Sequence, residues 1–204
     1  MPKSASRMFA GKSVNNHKKA LKTKITVRDR ILQEIGEASV FDAFAGSGKM
    51  YREVWHRAQA YVGCDLRWYP DQREAYVCDN TRLLRALDLQ RFNLFDLDAY
   101  GSPYTQLAII AARRRLAAGD RVGLVLTDGL FNRVQFGALP LGLAKLAGVD
   151  RSARGASRLI HRLRRRAIEQ VASSMGGAVE LWLEGEGKTR AKVAYIGIVL
   201  RGAQ

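Results

Sequence analysis

The segment FDAFAGSGKM, residues 41–50, decides the fold of this chain. Its first half is a short apolar run typical of a buried strand. Gly46 and Gly48 follow at the point where a helix-like segment begins. Glycine lets the backbone turn sharply, and a ligand can closely approach the free N–H groups at the start of a helix. The segment therefore predicts a ligand-binding turn between a strand and a helix.

Two well-known glycine motifs do not fit this turn. A P-loop has the pattern G-x-x-x-x-G-K-[ST], but Ala43 stands at its first glycine position and Met50 at its hydroxyl position. A dinucleotide-binding turn has the pattern G-x-G-x-x-G, and Tyr51 stands at its third glycine position. These departures argue against a nucleoside triphosphatase and against a dinucleotide-dependent enzyme.

Outward from the turn, strand-like and helix-like segments alternate along the chain. The predicted strands are 39–45, 60–65, 74–79, 92–98, 121–127, 178–183 and 191–200. The predicted helices are 26–36, 47–58, 82–89, 102–118, 139–146 and 152–175. Continuous apolar runs indicate parallel strands buried on both faces, whereas the last two strands, joined by EGEGKTR, resemble a hairpin. We expect an α/β fold with a mostly parallel sheet, an antiparallel last strand and helices on both faces.

Three acids stand at the ends of successive predicted strands: Asp42, Asp65 and Asp79. Any one of them alone could be a surface turn residue or a helix cap. Together they suit a ligand with a cationic ammonium group, a ribose diol and an adenine amine, since open α/β sheets bind ligands at the carboxyl ends of their strands. A molecule that combines an amino acid with a nucleoside is S-adenosylmethionine.

At these residues the sequence resembles the class I S-adenosylmethionine-dependent methyltransferases, over about residues 39–200. The resemblance implies a Rossmann-like methyltransferase fold and S-adenosylmethionine as the cofactor. We expect the cofactor to be bound by Asp42, Phe44, Gly46, Ser47, Gly48, Asp65, Leu66, Asp79 and Asn80.

The segment FDLDAYGSP, residues 95–103, carries the second chemical signal. Asp96 and Asp98 follow an apolar strand, and Tyr100 comes directly after them. An exocyclic base amine is a poor nucleophile because its lone pair is delocalised, and a carboxylate that accepts its protons makes the nitrogen more reactive. An aromatic ring can hold the base by stacking. The alternative is an ordinary strand-to-helix turn in which Asp98 or Ser102 caps the helix.

This segment resembles the D-x-D-P-[FY]-G-S-P motif of the tRNA guanine dimethyltransferase family. The resemblance implies that Asp98 and Tyr100 position the base and that Asp96 supports them. Two departures stand out. Ala99 replaces the proline of the motif, and residues 66–73 are too few for the usual second crossover helix.

The charge of the chain is concentrated in two regions. Lys and Arg number 34 against 19 Asp and Glu, a net charge of +15, of which residues 1–30 carry +8 and residues 151–166 carry +7. Such clustering is typical of a polyanion-binding surface, although a solvated helix face is the alternative for the second cluster. The expected nucleic-acid contacts are Lys18, Lys19, Lys22 and Lys24 in the first cluster, and a helical stripe of Arg151, Arg154, Arg158, Arg162 and Arg165 in the second.

The length of 204 residues suits a basic arm at 1–24 followed by one methyltransferase domain at 25–204. We expect no membrane span, because no window approaches 18 consecutive apolar residues, and the first residues lack the apolar core of a signal peptide. Cys64, Cys78 and three scattered histidines have no metal-binding spacing, so we expect no metal. The default location is the cytoplasm.

The sequence therefore predicts a methyltransferase that acts on an exocyclic, guanine-type base amine of RNA such as tRNA. Three alternatives stay open: a DNA amine methyltransferase of a mobile element, a basic nucleic-acid-binding module without catalysis, and a small-molecule methyltransferase. The two basic clusters argue against the last of these.

Overall fold

The computed structural model describes residues 18–129, 138–152, 156, 158–186 and 193–203, and its centre is a seven-stranded sheet. The order across the sheet is β3-β2-β1-β4-β5-β7-β6. Its strands are β1 (Ser39–Asp42), β2 (Ala60–Asp65), β3 (Ala75–Val77), β4 (Leu94–Leu97), β5 (Arg121–Asp128), β6 (Gly177–Glu186) and β7 (Ala194–Gly202).

The strand directions bring the predicted site residues to one edge of the sheet. Strands β3, β2, β1, β4 and β5 are mutually parallel, and β7 pairs antiparallel with both β5 and β6. In this register Asp42 of β1 lies beside Gly63 of β2 and Asp96 of β4. The carboxyl ends of the parallel strands therefore meet at the edge where such sheets bind ligands.

Helices cover both faces of the sheet. One apolar core joins the sheet to α3 (Asn80–Ala86), α4 (Tyr104–Arg113), α5 (Leu141–Ala147) and α6 (Ile160–Met175), and the other joins it to α1 (Lys18–Ile35) and α2 (Lys49–Glu53). Helix α1 lies close against the sheet because Gly123 of β5 has no side chain. A Cβ atom at Gly123 would come within 2.8 Å of Ile31. This is the α/β architecture predicted from the sequence.

Two of the differences between the predicted and the observed helix bounds bear on the site. Helix α1 begins at Lys18, so residues 18–24 of the predicted arm are helical, whereas residues 1–17 lie outside the described residues. Helix α6 begins at Ile160 instead of at 152, because the chain around residue 151 forms turns. Arg151 and Arg158 therefore precede the helix that was predicted to carry the arginine stripe.

The connection between β2 and β3 contains no helix, as the short segment 66–73 led us to expect. Two short 3-10 turns, Trp55–Arg57 and Leu89–Arg91, complete the described elements, and the first replaces the end of the helix predicted over 47–58. Within the described ranges, no helix combines the length and apolar character that crossing a membrane requires.

Candidate active site

The glycine turn connects β1 to α2 and has the geometry of a ligand-binding turn. Gly46 has a φ of 49° and Gly48 a φ of 76°, a backbone region that favours glycine. The N–H of Gly46 donates to Oδ2 of Asp65 at 2.9 Å, which ties the turn to the end of β2. Asp65 therefore lies directly against the turn.

Arg73, in the segment between β2 and β3, holds this segment against the turn. Its Nη2 donates to the carbonyl of Gly46 at 2.9 Å and its Nη1 to that of Ala45 at 3.1 Å, while its Nε donates to Asp71 at 2.8 Å. A Cβ atom at Gly48 would lie 2.8 Å from the Arg73 guanidinium carbon. Gly48 thus serves a close approach as well as a turn, and no sequence signal had pointed to Arg73.

A cavity opens beside the turn between the ends of β1, β2 and β3. Gly46 and Asp65 belong to its wall, together with Trp68, Tyr69 and Tyr76. The wall offers backbone groups, the carboxylates of Asp65 and Asp71, and several aromatic rings. These groups suit an adenosine, since a carboxylate can accept from the ribose hydroxyls and the rings can stack on the base. The residues present therefore fit the nucleoside part of S-adenosylmethionine.

Asp42 lies deeper in the protein than the other two acids at the strand ends. Its carboxyl group is buried beneath the turn, accepting from the N–H of Phe44 at 3.1 Å and from the hydroxyl of Tyr61 at 3.1 Å. It does not belong to the wall of this cavity, and its hydrogen bonds shape the turn. Burial, reinforced by the neighbouring Asp96, raises the pKa of Asp42 to about 8.

Asp79 caps the N-terminus of α3, which is one of the two structural roles named above for a single acid at the end of a strand. Its Oδ1 accepts from the N–H groups of Thr81 and Arg82, and hydrogen bonds from these residues hold its pKa below the usual value. The neighbouring Asn80 donates to the carbonyl of Ala43 at 2.8 Å and so links α3 to the end of β1. Both residues lie near the turn, but neither lines the cavity.

The remaining predicted cofactor residues differ in their surroundings. Phe44 is half-buried and packs against the core of the α3 to α6 face. Ser47 is exposed within the turn, and its carbonyl accepts from Arg52 at 2.8 Å. Leu66 is exposed and lies outside the cavity wall. Of these three residues, only Ser47 belongs to the turn that a ligand would approach.

Asp96 is the central residue of a buried ionic network on the α1 face of the sheet. Arg28 binds it with two parallel hydrogen bonds of 2.7 Å, and the indole N–H of Trp55 donates to it at 2.8 Å. Burial raises the pKa of Asp96 above its ordinary value, and the Arg28 guanidinium opposes that rise. Asp96 has no access to a substrate, so it supports the site from beneath.

Asp98 lies at the surface end of the same network. The Lys24 ammonium lies 2.7 Å from Oδ1 and 2.8 Å from Oδ2, and Arg28 is 3.6 Å from Oδ2. Although burial opposes ionisation, the charges of Arg28 and Lys24 hold the pKa of Asp98 below its usual value. Tyr100, two residues further on, is 83% exposed. An ionised carboxylate and an exposed aromatic ring thus lie two residues apart in the chain.

Lys24 was predicted to contact nucleic acid, and the structure shows that this is wrong. Its side chain is only 4% exposed, since both oxygens of Asp98 hold it inside the protein. The signal for this inward direction was present in the sequence. Helical periodicity places Lys24 and Arg28 on the same face of α1 as the apolar residues Val27, Ile31 and Ile35. A cation on an apolar face predicts a buried acidic partner.

The arginines of the second cluster do not form one stripe. Arg151 and Arg158 are exposed but precede α6, whereas Arg162 and Arg165 are exposed on the helix itself. The Arg165 guanidinium lies over the ring of Trp182 at 5.1 Å. Arg154 and the side chain of Lys19 lie outside what the structure describes, and Lys18 and Lys22 are exposed on α1.

The described residues include no cluster of His, Cys, Asp or Glu that could hold a metal ion. Cys64 and Cys78 are free thiols with their sulfur atoms 3.7 Å apart, and burial raises the pKa of Cys64 to about 12. A thiol that is neutral at physiological pH is a poor nucleophile. Cys64 thus behaves as a small packing residue.

No protein-family model matches the chain, and no curated protein matches its sequence. Among solved structures it is similar to the N-methyltransferase NodS from Bradyrhizobium japonicum WM9 in complex with S-adenosylhomocysteine. The identity is 9%, the TM-score is 0.53, and the match covers 93% of this chain and 90% of NodS. The likeness confirms the predicted Rossmann-like class I methyltransferase fold.

Two structures from Pyrococcus horikoshii are also similar. Trm1, solved with S-adenosylmethionine, has 18% identity and a TM-score of 0.50, with 90% of this chain covered. TYW2, solved with MeSAdo, has 14% identity and a TM-score of 0.52, with 88% covered. The chain spans 55% of the length of Trm1 and 62% of that of TYW2.

Replacing Asp42 with Asn should change how stability depends on pH. The pKa of Asp42 is raised on folding, so the stability it contributes is full at low pH and is lost as pH rises from 3.8 toward about 8. The free energy of unfolding of the Asn variant, relative to that of wild type, should therefore rise by up to about 1.4 kcal/mol per pH unit between roughly pH 5 and 8. Urea unfolding across this range measures the difference.

The free energies of unfolding of the two proteins should also differ by an amount that does not depend on pH. The reason is that the two oxygens of Asp42 accept from Phe44 and Tyr61, whereas Asn has one oxygen in place of two. The matched control is Asp150→Asn, at an exposed acid whose pKa is lowered. Its stability difference from wild type should be flat over the same range. Parallel pH curves for wild type and Asp42→Asn would contradict the assignment.

Proposed function

We propose that this protein is an S-adenosylmethionine-dependent methyltransferase that methylates an exocyclic, guanine-type amine in RNA such as tRNA. The observation that carries the proposal is the pairing of Asp98 with Tyr100. The Asp98 carboxylate is held ionised by two cations, and the Tyr100 ring, two residues further along the chain, is 83% exposed. Both follow β4, which is the direct neighbour of the strand that leads into the glycine turn.

The chemistry follows from what these groups can do. S-adenosylmethionine, when bound, supplies an electrophilic methyl group on a sulfonium. The Asp98 carboxylate accepts hydrogen bonds from the amine and so directs the nitrogen lone pair away from the ring. It also receives the proton that the nitrogen gives up. Tyr100 stacks on the base and fixes its orientation, and such positioning is the larger part of the rate enhancement.

The cofactor would be held at the glycine turn and at the cavity beside it. Asp65 accepts from the ribose hydroxyls, and the turn formed by Gly46, Ser47 and Gly48 offers backbone groups to the amino-acid part. Trp68 and Tyr69 offer aromatic faces to the adenine. The similarity of the fold to structures solved with S-adenosylmethionine and S-adenosylhomocysteine supports this assignment.

Replacing Asp65 with Ala should weaken S-adenosylmethionine binding by about tenfold or more, because a charge-assisted bond to the ribose is lost. Asp65→Asn should weaken it less, since an amide oxygen can still accept from the Gly46 N–H. Isothermal calorimetry measures both affinities. Glu169→Ala, at an exposed acid on α6, is the control and should bind as wild type does. An unchanged affinity for the Ala variant would refute the site.

The reaction itself is tested by mass spectrometry of nucleosides from tRNA, ribosomal RNA and duplex DNA incubated with the protein and S-adenosylmethionine. We expect methylated guanosine from RNA. Asp98→Asn should lower the rate by about a hundredfold or more, because a neutral amide cannot take up the proton. Tyr100→Ala should raise KM, whereas Tyr100→Phe should retain stacking and stay close to wild type.

The other results of this experiment identify the alternatives. Methylation of DNA alone would show a DNA amine methyltransferase instead. Methylation of neither polymer, combined with tight polyanion binding, would show a binding module without catalysis. Either result would overturn the proposed substrate.

The nucleic acid would lie along the carboxyl edge of the sheet. Lys24 of α1 contacts Asp98 after β4, and Arg164 of α6 contacts Asp128 at the end of β5 at 2.7 Å. The first halves of both helices therefore lie at the catalytic edge, on opposite faces of the sheet. The exposed cations there are Lys18, Lys22, Arg158, Arg162 and Arg165. With the basic residues of 1–17, they are the phosphate contacts that we propose.

Replacing both Arg158 and Arg162 with Ala should lower the slope of log affinity against log salt by about 1.4 to 1.8, because each phosphate contact releases about 0.7 to 0.9 counterions. Fluorescence anisotropy with labelled tRNA between about 50 and 200 mM salt measures the slope. Arg85→Ala is the matched control, since this exposed arginine lies at the far end of α3. An unchanged slope in the double variant would exclude this surface.

A further inference from the structure

We propose that Lys24 is a positioning residue for the proposed methyl transfer: its ammonium holds the Asp98 carboxylate ionised and in the one orientation that receives the substrate amine. This inference rests on the proposed function and adds to it a residue from outside the strand that carries the reaction. Lys24 itself touches neither substrate nor cofactor.

The Lys24 ammonium contacts both carboxylate oxygens of Asp98. The Lys24 nitrogen lies 2.7 Å from Oδ1 and 2.8 Å from Oδ2, so rotation of the carboxylate about its last bond would break one of two short ionic contacts. The ammonium is also within 5.7 Å of the centre of the Tyr195 ring. The Lys24 and Asp98 side chains are 4% and 17% exposed, which leaves only the carboxylate accessible from outside.

The two buried cations of α1, Lys24 and Arg28, bind different carboxylates, and this difference supports the role of Lys24. Arg28 gives both of its short bonds to Asp96 and lies 3.6 Å from Asp98, so it supplies charge there but little orientation. Lys24 supplies both. A carboxylate that must accept hydrogen bonds from a substrate needs free lone pairs, and each oxygen keeps one or more after a single bond from Lys24. The contact with Lys24 therefore leaves the Asp98 carboxylate able to accept a hydrogen bond from the substrate amine.

Groups from several elements set the charge of Asp98, and together they determine its pH dependence. Burial opposes its ionisation, whereas the charges of Arg28 and Lys24 favour it, and Asp98 in turn raises the pKa of the neighbouring Asp96 and Asp42. The charged and titratable groups that face Asp98 are Lys24 and Arg28 from α1, Asp42 from β1, Asp96 from β4 and Tyr195 from β7.

The test is the pH profile of kcat and KM for wild type and for Lys24→Met. The transfer needs ionised Asp98, so the rate is full above its pKa and falls as pH drops through it. In wild type this acid limb should lie below about pH 4. In Lys24→Met we expect it to move up by about one unit or more, with kcat lowered about tenfold or more and KM nearly unchanged. Lys24→Arg should restore both.

The matched control is Arg30→Met, which removes an exposed cation from the second half of the same helix, where it pairs with Glu34. It should leave both the acid limb and kcat unchanged. Should Lys24→Met fail to fold, Lys24→Gln keeps a hydrogen-bond donor without the charge, and the same shift of the acid limb is expected. Circular dichroism confirms that each variant is folded.

A second readout separates this proposal from the function on which it rests. Carbon-13 NMR of the Asp98 carboxyl follows its titration directly, without any reaction. If wild type transfers methyl groups but Lys24→Met keeps the wild-type titration and acid limb, the role of Lys24 is refuted while the function stands. If wild type transfers no methyl group, the proposed function fails and this role fails with it, whatever the titration shows.

Discussion

The buried ion pair between Arg28 and Asp96 is the interaction on which the arrangement of the site depends. Both side chains are fully buried and joined by two bonds of 2.7 Å, with the Trp55 indole as a further donor. Removing either partner alone would leave an uncompensated charge inside the protein, at a cost of about 3 to 5 kcal/mol. Because Asp96 is in register with Asp42 and two residues from Asp98, the pair fixes α1 against both strands of the site.

The charges of this network do not balance if all its acids are ionised. Asp42, Asp96 and Asp98 lie together on one face of the sheet, and only Lys24 and Arg28 oppose them within this group. Burial, with the neighbouring Asp96, raises the pKa of Asp42 to about 8, so Asp42 takes up this imbalance as a proton. Asp98 can then stay ionised at the surface, where a substrate amine would need it.

The same network changes the meaning of the two basic clusters, residues 1–30 and 151–166. Lys24 and Arg28 belong to the first cluster and Arg164 to the second, yet all three are buried and paired with Asp98, Asp96 and Asp128. The charge counted for each cluster therefore exceeds the charge that the cluster can present to a polymer. These inward-pointing cations anchor the first halves of α1 and α6 near the carboxyl edge of the sheet.

The sequence alone determined where the strands and the glycine turn fall and that Asp42 and Asp65 end their strands. These features follow local rules, and strand β2, for example, was predicted at 60–65 and lies at Ala60–Asp65. Only the tertiary structure decided what those residues contact. It buried Asp42 beneath the turn, made Asp79 a helix cap and paired Lys24 with Asp98. The physical reason is distance along the chain. Helical periodicity places Lys24 on the apolar face of α1, but Asp98 is 74 positions away, so which acid Lys24 meets depends on how α1 packs across the sheet.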